Sequence, residues 1–188
     1  SGSSRGLGDV YKRQYLSPFL ESKEEDLIKI MNLQFKGPYQ FFQACIPAMT
    51  EGGSIIQISS ATATIMLDNH AAYMGTKAGI DHVIRTVANE FGERGIRANS
   101  ISPGLTASPM TKDAMAAPGL EEAFLREYPL GRIGTSEDIA AMAVFLCSDE
   151  CFLSGQNLQV NGGLTLRRNP RSADIDASVA QAMAKLEN

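Results

Sequence analysis

Leu27, Ile30, Met31 and Phe35 recur at the spacing that stacks side chains on one helix face, and they follow Ser22-Lys23-Glu24-Glu25. That tetrapeptide has the form of a capping box, in which the serine hydroxyl accepts from the third backbone N–H and the glutamate reaches back. A helix is therefore expected to start after Ser22. Gly37-Pro38 interrupts it; proline has no N–H to donate, so a kink or break is expected before helical character resumes through Phe41, Phe42, Cys45 and Ile46. After Gly52-Gly53, the run Ser54-Ile55-Ile56-Gln57-Ile58-Ser59 fits a buried parallel strand. Small and polar residues continue to about Asn69. From Ala71 to Phe91 the stripe Ile80, Val83, Ile84, Val87 and Phe91 predicts a long helix, with Gly95 suited to the left-handed position beyond its end. A second strand is expected over 96–101, stopped by Pro103-Gly104. Residues 105–130, with Pro109, Pro118 and Pro129, read as irregular. Thr135 or Ser136 can cap a helix over 138–147, and Asn157-Leu158-Gln159-Val160 reads as a third strand ended by Gly162-Gly163. The tail, 167–188, has Arg167, Arg168 and Pro170, then Val179, Met183 and Leu186 on one side of a possible helix. It reads either as a contact with a partner subunit or as a loose extension.

Helices and short apolar strands alternate, which argues a parallel sheet covered by helices on its faces. The 188 residues, 44% hydrophobic, suit one globular domain. The net charge of -4 and a pI near 5.2 give no footprint for a phosphate backbone, so nucleic acid is not an expected partner. No apolar run approaches the roughly 18–20 residues that span a bilayer, and no charged-then-apolar leader opens the sequence. Cys45, Cys147 and Cys151 are odd in number and lack metal-ligand spacing. They read as reduced thiols of a cytoplasmic protein, and no metal is expected.

Tyr73 and Lys77 lie four apart on the long predicted helix, hence on one face and one turn apart. A free tyrosine has a pKa near 10. A neighbouring ammonium favours the phenolate, and a phenol tuned in this way can exchange a proton with an alcohol oxygen. The pair alone is a common helix-surface coincidence. Its neighbours make it a site. Ser60 ends the first strand thirteen residues before Tyr73, and strand ends are where parallel α/β folds place ligands. Asn32 lies on the preceding helix, and Pro103-Gly104 ends the next strand. His70, close before Tyr73, reads as an exposed loop histidine that could line a pocket, and His82 as structural. Met110 and Met115 read either as part of a lid over an apolar substrate or as packing residues.

With these residues in place, the sequence resembles the short-chain dehydrogenase/reductase family from about Ser17 to Leu166. The blocks are Asn32-Leu33, Ile58-Ser59-Ser60, Tyr73-x-x-x-Lys77-Ala78-Gly79 and Asn99-x-Ile101-x-Pro103-Gly104. They continue with Gly131-Arg132-Ile133-Gly134, Phe145-Leu146-Cys147-Ser148-Asp149, Ser154-Gly155-Gln156 and Asn161-Gly162-Gly163, in the family's order and at its separations. The resemblance implies the C-terminal half of a Rossmann-like, doubly wound parallel sheet in three α/β/α layers, with the N-terminal βαβ units missing. It implies Tyr73 as general acid/base, and Lys77 lowering its pKa while holding the nicotinamide ribose. Ser60 would stabilise charge on the substrate oxygen, and Asn32 would position a relay water. Ile58, Pro103, Gly104, Leu105, Thr106 and Ser108 would hold NAD or NADP together with Tyr73 and Lys77. Ser108 stands where the family usually has threonine and keeps the hydroxyl. The implied activity is interconversion of a small-molecule alcohol and ketone by a homodimer or homotetramer. A non-catalytic scaffold, or an epimerase or dehydratase on the same fold, are the alternatives.

The opening Ser1-Gly2-Ser3-Ser4-Arg5-Gly6-Leu7-Gly8 imitates the family's phosphate-binding turn in letters, but no strand precedes it and only about thirteen residues separate Gly8 from the helix start at Ser22. Residues 4–14 look like a translated transposase-type sequencing adapter. The expected organisation is a non-native segment over 1–14, a partial catalytic domain over 15–166 and an extension over 167–188. The chain by itself is expected to be inactive, with an open sheet edge.

Overall fold

The computed structural model describes residues 16–109 and 111–186, so the expectations for residues 1–14 and for Met110 lie outside the described residues. Three strands form the main sheet: β1 (Gly53–Ile58), β2 (Ile96–Pro103) and β5 (Asn157–Val160). They run parallel in the order β1-β2-β5, with Gly53 opposite Ile96, Ile58 opposite Ile101, and Pro103 opposite Val160. Alternate side chains along a strand serve opposite layers. Ile55, Ile96 and Ala98 pack with Phe42, Ile46, Ile80, Ile84 and Val87 from helices α2 (Gly37–Cys45) and α3 (Ala71–Phe91) and the turn after α2. Ile56, Ile101 and Leu158 instead meet Ile139, Met142 and Leu146 of α6 (Ser136–Cys147). The predicted three-layer α/β/α arrangement is therefore present. Ile80, Ile84, Ile101 and Leu146 are at most 1% exposed, and each contributes about 1.5–3 kcal/mol by leaving water.

Several local expectations are corrected. Helix α1 (Glu24–Met31) has Lys23 as its N-cap with no side-chain cap, because the Ser22 hydroxyl is bonded to Ser17 Oγ at 2.8 Å instead. Gly37-Pro38 does not break the helix. The five residues Asn32–Lys36 form a π turn between α1 and α2, in which the Gly37 N–H reaches back to the Asn32 carbonyl. Pro38 thus falls in the first turn of α2, where the missing N–H costs least. The stretch 105–130 is not irregular: it holds β3 (Thr106–Ala107), α4 (Lys112–Met115) and α5 (Leu120–Leu125). Strand β3 pairs in parallel with β4 (Gly134–Thr135). The tail is not loose either. Helix α7 (Ser172–Leu186) docks on α5 of its own chain, with Ser178 buried and Ile175 joining the cluster of Leu120, Phe124, Tyr128 and Leu164.

The cap at Thr135 forms as expected: its hydroxyl accepts from Asp138 N–H, while the Asp138 carboxylate accepts from Thr135 N–H at 2.8 Å. Arg132 holds the same carboxylate with two bonds of 2.7 Å, which keeps Asp138 well below the usual carboxylate range. At the other end of α6, Arg97 donates to the Leu146 and Ser148 carbonyls, placing a cation against the helix C-terminus. Among the described residues β1 is paired on one side only, and Ile58 is 45% exposed.

Candidate active site

The site gathers where β1 and β2 end. Beyond β1, Ser60 caps a short 3₁₀ turn (Ala61–Ala63): its hydroxyl accepts from Thr62 N–H at 3.2 Å and lies 2.9 Å from Thr62 Oγ1. Tyr73 and Lys77 project from the first two turns of α3. Lys77 Nζ donates to the Ile58 carbonyl at 2.8 Å and stands 5.7 Å from the centre of the Tyr73 ring. Burial pushes the Tyr73 phenol above its ordinary pKa, and hydrogen bonding with Ser60 works against that rise. Burial likewise pushes Lys77 down, opposed by the charge of Asp81. The sequence reading made Lys77 the group that lowers the Tyr73 pKa. In the structure Lys77 is turned toward Ile58, and the group acting directly on the phenol is Ser60.

His70 also departs from expectation. It is buried, its Nδ1 lies 2.6 Å from the Asp68 carbonyl, and its ring meets Tyr73 edge-on at 6.2 Å. Burial lowers its pKa, with Asp68 opposing. It is a wall of the site, fixed by its own loop. His82 is exposed on α3. Asn32 is exposed at the first residue of the π turn. That turn is held on α3 by Thr76 Oγ1 donating to Gln34 Oε1 at 3.0 Å, one residue before Lys77.

The second strand end supplies a self-tied loop. Thr106 Oγ1 donates to the Gly104 carbonyl at 3.0 Å, and Thr111 Oγ1 donates to the Thr106 carbonyl at 2.6 Å. Ser108 meets the same Thr111 hydroxyl through its N–H and its own hydroxyl, each at 3.1 Å. Leu105 N–H donates to the Tyr128 phenol oxygen at 2.5 Å. A side chain at Gly104 would run into that phenol, so the close approach requires glycine. Burial pushes the Tyr128 pKa up to about 12. Sequence reasoning missed Tyr128; the only signal was an aromatic between Glu127 and Pro129 in a stretch that otherwise read as loop.

These groups suit one end of a nicotinamide dinucleotide. Lys77 has N–H donors left after serving Ile58, which matches vicinal ribose hydroxyls. The backbone from Pro103 to Thr106 is held rigidly at the neighbouring strand end, where a carboxamide needs fixed partners. Among the described residues no group of three or more His, Cys, Asp or Glu is placed to hold a metal, and no helix is long and apolar enough to cross a membrane.

A parallel sheet between helical layers, with serine, tyrosine and lysine converging at its strand ends, defines a Rossmann-type oxidoreductase scaffold. Residues 10–165 match the family described as enoyl-(acyl carrier protein) reductase. The chain is 34% identical over 148 residues to the 3-oxoacyl-(acyl-carrier-protein) reductase of Staphylococcus aureus, covering 77% of this chain and 59% of that protein. It is 36% identical over 150 residues to the L-rhamnose-1-dehydrogenase of Scheffersomyces stipitis, covering 78% and 58%. A short-chain dehydrogenase/reductase structure from Mycobacterium ulcerans superposes with a TM-score of 0.82 at 32% identity, covering 90% of this chain and 63% of that one. A gluconate 5-dehydrogenase from Burkholderia cenocepacia, solved with NADP and tartrate, gives 0.77 at 25% identity, covering 81% and 61%. The chain belongs to the short-chain dehydrogenase/reductase family, a family of NAD(P)-dependent oxidoreductases. It spans 53–59% of the length of the curated relatives it matches.

Proposed function

We propose that Tyr73, Ser60, Lys77 and Asn32 form the proton-transfer site of an oxidoreductase that interconverts a small-molecule alcohol and a ketone with NAD or NADP. The observation that carries this reading is the buried phenol of Tyr73, hydrogen-bonded with Ser60 and with the Lys77 Nζ 5.7 Å from its ring centre, beside the end of β1. A nicotinamide held there would supply hydride to the carbonyl carbon or accept it from the alcohol. In reduction Ser60 donates a hydrogen bond to the carbonyl oxygen, and Tyr73 gives that oxygen its proton as hydride arrives at carbon. In oxidation the phenolate takes the alcohol proton. A pKa held up by burial keeps Tyr73 in its acid form at neutral pH, so reduction runs there and oxidation speeds up as pH rises. Lys77 and the segment Ile58, Pro103, Gly104, Leu105, Thr106 and Ser108 hold the nicotinamide end, and Asn32 positions the water through which Lys77 exchanges protons with solvent.

The complete protein works as a dimer or tetramer in the cytoplasm. Exposed Leu27, Ile28, Met31 and Leu33 along α1 and the π turn support association, and three free cysteines support a reducing compartment. The chain alone turns over no substrate. Replacing Tyr73 with Phe in the protein translated from the complete reading frame tests the assignment. Ketone reduction should fall about 10²–10⁴-fold, the usual worth of a positioned acid. Undiminished reduction would sink the reading.

A further inference from the structure

Among the described residues Asp81 is the single buried carboxylate, 8% exposed, and no step of the proton transfer uses it. It lies on α3 one turn beyond Lys77, on the face turned to the sheet. Its Oδ2 accepts from Ser59 Oγ at 2.7 Å and from Asn157 Nδ2. Its Oδ1 has no hydrogen-bond partner, and neither has Ser100 Oγ, which is 1% exposed and near enough to favour the charged carboxylate without being aligned as a bond. Ser59 follows β1, Ser100 is in β2 and Asn157 starts β5, so one carboxylate addresses all three strands beneath the catalytic helix.

Burying a carboxylate is costly, and an asparagine of the same shape could accept the same hydrogen bonds. A retained charge here needs a use for the charge. The neutral faces around Asp81 are Ser59, Ser100 and Asn157, and the one charged group that acts on it is Lys77. Ser59 also sits between the two parts of the site that must hold still: Ile58, whose carbonyl receives Lys77, and Ser60.

We propose that Asp81 is a positioning residue for this site: its carboxylate pins the Ile58–Ser60 end of β1, where Lys77 and Ser60 are seated, to β5, and places a buried negative charge one helical turn from Lys77. The coupling is mutual. Burial pushes Asp81 above the ordinary carboxylate range, and Lys77 opposes that shift just as Asp81 opposes the downward shift of Lys77. Loss of the charge at Asp81 therefore lets Lys77 release its proton at lower pH.

The proposal rests on Lys77 as a site residue, but its test reads Lys77 without turnover, so a failed enzyme assay and a failed coupling are separate results. The chain is labelled uniformly with ¹⁵N and with ¹³Cε-lysine and ¹³Cγ-aspartate and titrated by NMR, as wild type, as Asp81→Asn and as the exposed control Asp176→Asn. In Asp81→Asn the Lys77 midpoint shifts to lower pH, and in the control it stays. An unmoved Lys77 midpoint in a folded Asp81→Asn protein overturns the proposal, because a merely structural carboxylate would leave that midpoint alone. Should the variant not fold, the wild type still decides. The Lys77 Cε and Ser60 amide signals respond at the midpoint where Asp81 Cγ titrates if the coupling exists, and their silence there overturns it.

Discussion

Tyr128 shows at the scale of one residue how a site is held by a group outside it. Its phenol oxygen takes the Leu105 N–H and fills the space a side chain at Gly104 would occupy. Tyr128→Phe leaves a buried N–H without a partner and should cost about 1–3 kcal/mol in urea unfolding. The folded pKa lies above the unfolded value of about 10, so between pH 10 and 12 the native state keeps a proton the unfolded chain loses. The stability this confers is full below pH 10 and is lost as pH rises toward 12. The wild type should show a late tyrosinate absorbance step that loses the amplitude of one tyrosine in Tyr128→Phe, Tyr73 being raised as well. Asp138 has the opposite sign. Its folded pKa is depressed by Arg132 and the Thr135 N–H, so its contribution is present at neutral pH and lost as pH falls below the usual carboxylate range. Asp138→Asn should flatten the acid limb of a stability–pH curve, and an unchanged limb would contradict the pairing. Tyr73, Lys77 and Ser60 were legible in the sequence because their chemistry survives as letters at fixed spacing. Tyr128 and Asp81 were not, since each meets its partners only when distant segments come together, and the burial of His70 leaves no mark in the letters.

Elements with a full stripe of apolar residues were read correctly: α3 and α6, and the strands β1, β2 and β5, lie where their periodicity puts them. The failures have specific causes. Ser22 had a nearer partner in Ser17, so the capping box did not form. A π turn was invisible because widening the helix by one residue leaves no compositional mark. Helix α5 is six residues long, and its buried Leu120, Ala123 and Phe124 make barely one repeat, too short for periodicity to separate from loop. Gly119 opens that helix in the left-handed region at φ 82°, and an added Cβ would run into the backbone of Ser178 on α7. Gly119→Ala should therefore destabilise the chain by more than the roughly 1–2 kcal/mol of the backbone conformation alone. Urea unfolding, with faster proteolysis across 105–130, would measure it.

For the molecule as a whole, the three layers were legible from the alternation of elements, and among the described residues β1 is paired on one side only. Unpaired strand edges template association. The isolated chain should form concentration-dependent aggregates in light scattering and should bind NADH and NADPH weaker than micromolar by calorimetry; micromolar binding would show that the described residues suffice as a cofactor site. The fate of the tail could not be read from its sequence. Whether it docks depends on α5, which sequence alone did not reveal. That docking ties two stretches far apart in sequence into one unit. The segment 105–130 and the helix Ser172–Leu186 touch at a point with no room for a side chain. A graft that replaces 105–130 with the corresponding stretch of a relative must carry the matching tail with it, or the new loop will sit on an unsupported hinge.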